Sequence, residues 1–162
     1  MSKNWARVLI LCATALTIFA GVSGGHWGVI LLVLPAGAVW LLNTLTDRYF
    51  WSTFAFLGQL AGSTLLVFWE QEWTGLIAVT MVLAAWDLDA FGRRLARFDQ
   101  VEGDIEKAHV QRVGLIGTIG LVLGSLPLVW QFDLSLGWAL LVAGILVISL
   151  ILVLRGAGHA AG

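Results

Sequence analysis

Apolar residues run through this chain in long blocks, and polar residues gather in the short gaps between them. Six blocks stand out, at 5–23, 27–45, 51–69, 73–91, 113–131 and 135–154. The hydrocarbon core of a bilayer is about 30 Å thick and an α-helix rises about 1.5 Å per residue, so a block of about 20 apolar residues crosses once as a helix. The pattern predicts an all-α, polytopic transmembrane helical bundle of about six spans, forming a single membrane domain over residues 1–162. Most links are too short for anything but a tight turn: Gly24-Gly25-His26, then residues 46–50, Glu70-Gln71-Glu72 and Phe132-Asp133-Leu134.

The exception is the stretch 92–112. Leu88, Phe91, Leu95 and Phe98 keep helical spacing past the end of the fourth block. Glu102-Gly103-Asp104 then breaks the helix, and Asp104 is placed to cap the next one, which runs through Ile105, Ala108 and Val110 into the fifth block. A cytoplasmic helical hairpin results, with a basic base at Arg93, Arg94 and Arg97 and an acidic tip at Asp99, Glu102, Asp104 and Glu106. Basic residues there fit contact with anionic lipid head groups, each contributing about 1 kcal/mol near a charged leaflet, or docking of a protein partner.

Charge then orients the chain. With alternate links numbered from a cytoplasmic N-terminus, all nine basic residues fall on one side: Lys3, Arg7, Arg48, Arg93, Arg94, Arg97, Lys107, Arg112 and Arg155. This is the positive-inside bias, and it predicts both termini in the cytoplasm and a multi-pass protein of the cell inner (plasma) membrane. Aromatic residues mark both boundaries: Trp27, Trp69, Trp73, Trp130 and Trp138 at the outer, and Trp5, Tyr49, Phe50, Trp51 and Trp86 at the inner. Trp40 alone lies deep. Lys3 and Arg7 ahead of an apolar stretch also fit a signal peptide, with Ala20 as a weak cleavage position.

Composition agrees and excludes several functions. Hydrophobic residues make up 59% of the chain and charged residues only 12%, about half the charged share of a soluble domain. A net charge of −1 and the lack of a long basic run argue against nucleic acid. The single cysteine, Cys12, excludes a disulfide framework and CxxC chemistry. The three histidines, His26, His109 and His159, fall outside the apolar blocks, so paired histidine ligation of a buried haem or metal is not expected. No serine combines a GxSG context with an intramembrane histidine, and no phosphate-cradling glycine loop with its lysine occurs. The string from Asp87 to Arg94 holds aspartates, a glycine and arginines, but not in the spacing of lipid-head-group transferases. No catalytic residue, cofactor or metal ligand is expected.

What remains is packing chemistry and a few intramembrane polar groups. Gly58 and Gly62 form a GxxxG with Ala55 on the same face; Gly117, Gly120 and Gly124 form another small-residue stripe. Lipid offers helices no hydrophobic incentive to associate, so close backbone approach at such stripes supplies the contact, within the monomer or between copies. Ala139 and Ala143 repeat the spacing in the sixth block. Ionisable groups within a span are functional candidates. Asp87 and Asp89 are the only acids inside a block; Asp89 can pair with Arg93 four residues on, whereas Asp87 has no such partner and could reach Arg48 or Arg94 or line a cavity. Gln59 can hydrogen-bond across helices. The chain also divides into two three-helix halves of opposite orientation, the second helix of each interrupted, at Pro35-Ala36-Gly37 and at Gly124-Ser125-Leu126-Pro127.

Two functions follow. The first is a non-catalytic multi-pass membrane protein, a structural or accessory subunit or a self-associating protein, with a membrane protein or a second copy as partner. The second is a small transporter or channel component built from inverted halves, with Asp87, Gln59, Pro35 and Pro127 around a polar site. A polar cavity at those residues would favour transport. A solid core with a small-residue face would favour the subunit.

Overall fold

The structure is a computed structural model that describes residues 2–46, 50–96 and 103–130, except for the side chains at 103, 127 and 130. Five helices account for nearly all of them: α1 (Ser2–Ser23), α2 (Trp27–Thr46), α3 (Ser52–Phe68), α4 (Glu72–Leu95) and α5 (Gly103–Trp130). No strand occurs among the described residues. The chain divides into two units, Met1–Leu128 and Val129–Gly162. The sixth expected span, at 135–154, lies outside the described residues, as do Arg48, Arg97 and, of the hairpin's acidic tip, Asp99 and Glu102. Among the described residues, four helices are long and apolar enough to cross a membrane: α1, α2, α4 and, within α5, the segment Asp104–Leu126. At 17 residues, α3 sits at the short end of the spanning range.

The first four helices pack as a closed ring in which α1 meets α2, α2 meets α3, α3 meets α4, and α4 returns to α1. Their register follows from which residues approach. Gly21 faces Ile30 and Gly37 faces Thr14, so α1 and α2 are antiparallel; Gly62 against Val33 and Gly58 against Ala36 make α2 and α3 so as well. Gly75 against Val67 and Gly92 against Lys3 do the same for α3 with α4 and for α4 with α1. Short turns keep consecutive helices adjacent. The α1–α2 turn places Gly25 at φ 73°, a left-handed conformation that glycine adopts without penalty. This up-and-down topology gathers the described basic residues Lys3, Arg7, Arg93, Arg94, Lys107 and Arg112 at one end of the helices.

Each inward face is a stripe of period three to four. On α1 it runs Ser2, Ala6, Ile10, Ala13, Thr17, Ala20; on α4 it runs Gly75, Ala78, Val82, Ala85, Asp89, Gly92. The outward faces carry Phe19, Leu31, Phe54, Phe68 and similar large apolar side chains, all exposed. The bundle is thus small and partly polar within and greasy without. That inversion suits a lipid solvent, where outer apolar surface needs no partner and inner polar groups need each other.

Three expectations change at this level. The chain around Pro35 is not interrupted: α2 continues through it, and α5 continues through Gly124 to Trp130. Proline within a membrane helix is tolerated because neighbouring groups compensate for the lost backbone bond. Asp104 lies within the first turn of α5 and not ahead of it. As the helical spacing past the fourth block predicts, α4 runs on beyond 91, to Leu95, before the backbone turns at Ala96.

Candidate functional site: a polar seam inside the bundle

Polar side chains on the inward stripes meet along the bundle axis in three layers. In the layer farthest from the basic end, Thr17 of α1 and Ser63 of α3 place their hydroxyls 3.3 Å apart, and Thr17 Oγ1 also donates to the Ala13 carbonyl at 2.8 Å. Both side chains are fully buried. One turn closer to the basic end, Gln59 Nε2 donates to Thr14 Oγ1 at 2.7 Å and to the Val33 carbonyl at 3.1 Å, joining α3 to α1 and α2. Gly37 makes room for this knot, since a Cβ there would lie 2.5 Å from both Gln59 Nε2 and Thr14 Oγ1. The other amide atom, Gln59 Oε1, is buried and accepts no hydrogen bond.

The third layer holds a charge. Asp89 is 1% exposed. Its Oδ2 accepts from Trp40 Nε1 at 3.2 Å and pairs with Arg93 Nη1 one turn along α4. Arg93 in turn lies over the Trp86 ring, 5.1 Å from its centroid. Trp40, Phe56 and Trp86 close an aromatic cage around the pair, with Phe56 and Trp86 stacked at 4.5 Å. An ionised carboxylate in hydrocarbon is costly alone; a guanidinium, an indole donor and a polarizable wall are what allow it to stay. At the basic end itself, Arg7 donates to the Thr44 carbonyl at 2.7 Å and to Asn4 at 3.3 Å, tying α1 to the last turn of α2.

The candidate transport residues do not converge. Gln59 is buried, whereas Pro35 and Asp87 are exposed, and the side chain of Pro127 is not described. Asp87 makes no ion pair with Arg94 among the described residues, and Arg48 lies outside them; the Asp87 carboxylate lies 3.2 Å from His109 Nε2 of α5, and His109 stacks on Phe91 at 3.7 Å. Of the three basic candidates, Arg93 turns inward to Asp89, Arg94 is exposed, and Arg97 lies outside the described residues. Of the glycines, Gly62 and Gly58 sit against Val33 and Ala36 of α2, Gly124 against Leu76 and Gly117 near Thr80 of α4, and Gly120 has nothing within 4 Å of where a Cβ would stand. Ser23, in the string Gly21-Val22-Ser23-Gly24, donates to the Ala20 carbonyl while His26 stacks on Trp69, so the two form no nucleophile–base pair. No cluster of three or more metal-ligating side chains occurs among the described residues.

Sequence reasoning missed that Asp89, and not Asp87, is the buried carboxylate. The signal was present. Gly75, Ala78, Val82, Ala85 and Gly92 set a small-residue register on α4, and Asp89 falls in it while Asp87 falls outside. Trp40, the one deep tryptophan, was the matching clue on α2. Compared with known proteins, the chain matches no family, no curated protein and no solved structure.

Proposed function

We propose that this chain is a non-catalytic multi-pass protein of the inner (plasma) membrane, serving as a structural or accessory subunit or associating with itself. Both termini face the cytoplasm and the sixth span is 135–154. One observation carries the reading. The polar groups inside the bundle are spent on one another, Gln59 on Thr14 and Val33, Asp89 on Trp40 and Arg93. Such a seam specifies how four helices lock together. Among the described residues the one buried carboxylate, Asp89, is ion-paired with Arg93 and bonded to Trp40. The large apolar surface of α5, including Leu115, Ile116 and Leu123, is then available to lipid, to 135–154 or to a partner.

The runner-up, a transporter or channel component with inverted three-helix halves, would use Asp89 in place of Asp87. The test is reconstitution of the full chain into proteoliposomes, beside cross-linking in mild detergent. The expected result is a discrete oligomer or a stoichiometric complex, with vesicles no more permeable to protons than blank ones. Proton uptake that vanishes in Asp89→Asn would overturn it. Topology is read separately. In a Cys12→Ala background, an impermeant thiol reagent on intact cells should label cysteines placed at Ser23, Gln71 and Phe132, and not one at Gln100.

A further inference from the structure

α5 is held to the bundle at two places and stands off between them. Near its start, Glu106 accepts a hydrogen bond from the Ser2 amide, His109 meets Asp87 and Phe91, and Val113 joins Ala6 and Leu88 in a small apolar cluster. Further on, Gly124 approaches Leu76. Between these points α5 presents Gly114 and Gly117, which have no side chain to fill the gap. The result is a half-open apolar slot of about 360 Å³ between α1, α4 and α5. Trp5 and Leu88 stand at one end and Ile77 and Leu121 at the other, and among the described residues the polar aliphatic side chains lining it are Thr80 and Thr118. The hydroxyls of both are bound to their own helices, at the Leu76 and Gly114 carbonyls.

Length and charge identify the occupant. On α5 the slot runs from Val110 to Leu121, about 16 Å at 1.5 Å per residue. That is close to half of the roughly 30 Å hydrocarbon core, the depth of one leaflet. Its inner end lies at the basic end of the helices, where Lys107, one turn before Val110 on the slot face of α5, is exposed, and half-exposed Trp5 marks that mouth as the level of the head groups. The opposite end of these helices offers exposed Glu70 and Glu72 and no described lysine or arginine. We propose that the slot is a site for one acyl chain of an anionic phospholipid from the leaflet at the basic end, its head group held by Lys107. The inference rests on the membrane reading above. It adds that a particular lipid is a structural component of the protein, wedged where α5 leaves the bundle.

The test uses the full chain in phosphatidylcholine vesicles doped with phosphatidylglycerol bearing a diazirine on one acyl chain. After photolysis, adducts should map to 77–88 and 110–121. A Gly114→Leu/Gly117→Leu variant, which fills the slot, should lose them, while Gly120→Leu, the same change outside the slot, should keep them. Lys107→Gln should lower labelling about fivefold at limiting probe, the factor that corresponds to one basic residue near an anionic surface. Adducts spread evenly over outward residues such as Leu31 and Phe54 would overturn the site. So would equal labelling by a phosphatidylcholine probe, persistence in the filled variant, or cross-links that place a second copy in the slot. Failure of the chain to float with the vesicles would instead strike the membrane reading itself, and the site with it.

Discussion

The four-helix ring and α5 are built from the same kinds of residue and behave differently. In the ring, small residues face inward in register, helices approach until side chains meet backbone, and polar groups bridge the axis. On α5 the small residues Gly114, Gly117 and Gly120 face a slot or open space, and only Val113 is buried among its described side chains. The contrast shows that a small-residue stripe is a permission and not a contact. It becomes an interface when a partner stripe offers something to bond. α3 has that in Gln59 and Ser63, which find Thr14 and Thr17. The polar anchors of α5, Glu106 and His109, lie at its first turns, so the rest of the helix is left to apolar contact, which lipid supplies as readily as protein.

The largest effect that would sharpen this contrast is at the caged ion pair. Arg93→Gln leaves Asp89 buried without its charge partner, and loss of one member of such a pair costs about 3 kcal/mol or more. Unfolding in detergent should register it as a collapse of stability, whereas the double variant Asp89→Leu/Arg93→Met should recover most of it. A double variant as unstable as the single one would mean that the pair is required for more than neutralisation. Next come the two glycines. At Gly62 an added Cβ would collide with Val33, so Gly62→Leu should cost about 1–3 kcal/mol by overpacking. Gly120→Leu should stay within about 0.5 kcal/mol, as for a surface change. Equal melting of the two would erase the distinction between ring and α5. Gln59→Leu removes two interhelical bonds, and a cost of about 0.6 kcal/mol is expected from interhelical hydrogen bonds in membranes; a stabilised variant would show that the stranded Gln59 Oε1 outweighs what Nε2 contributes. Smallest of all, Asp87→Asn should change stability by no more than about 0.5 kcal/mol, since its side chain is 58% exposed. A loss as large as that of Arg93→Gln would relocate the critical carboxylate to α5's side of α4.

Much of the architecture was legible before any coordinates. The helical blocks and their turns follow from where charged residues and glycine interrupt apolar runs, because a bilayer admits only internally bonded helices of sufficient length. The Asp89–Arg93 pair, the cross-helix role of Gln59 and the packing of Gly58 and Gly62 were readable from spacing alone. Less legible was the choice between Asp87 and Asp89. Two residues apart on a helix, they differ by about half a turn, and only the register of Gly75, Ala78, Val82 and Ala85 decides which points inward.

By itself, then, the sequence determined the number and extent of the described helices to within a few residues and the end at which basic groups gather. These depend on composition along the chain, and the bilayer's thickness and dielectric act on each segment separately. Tertiary structure alone decided that Trp40 reaches Asp89 from the diagonal helix, that Gly37 is a socket for Gln59, that Pro35 leaves α2 unbroken and that α5 stands off to open a slot. Apart from the continuity of α2, each of these depends on the relative rotation of two helices about their axes. Rotation is settled by how side chains from distant parts of the chain fit together, which no local period can state.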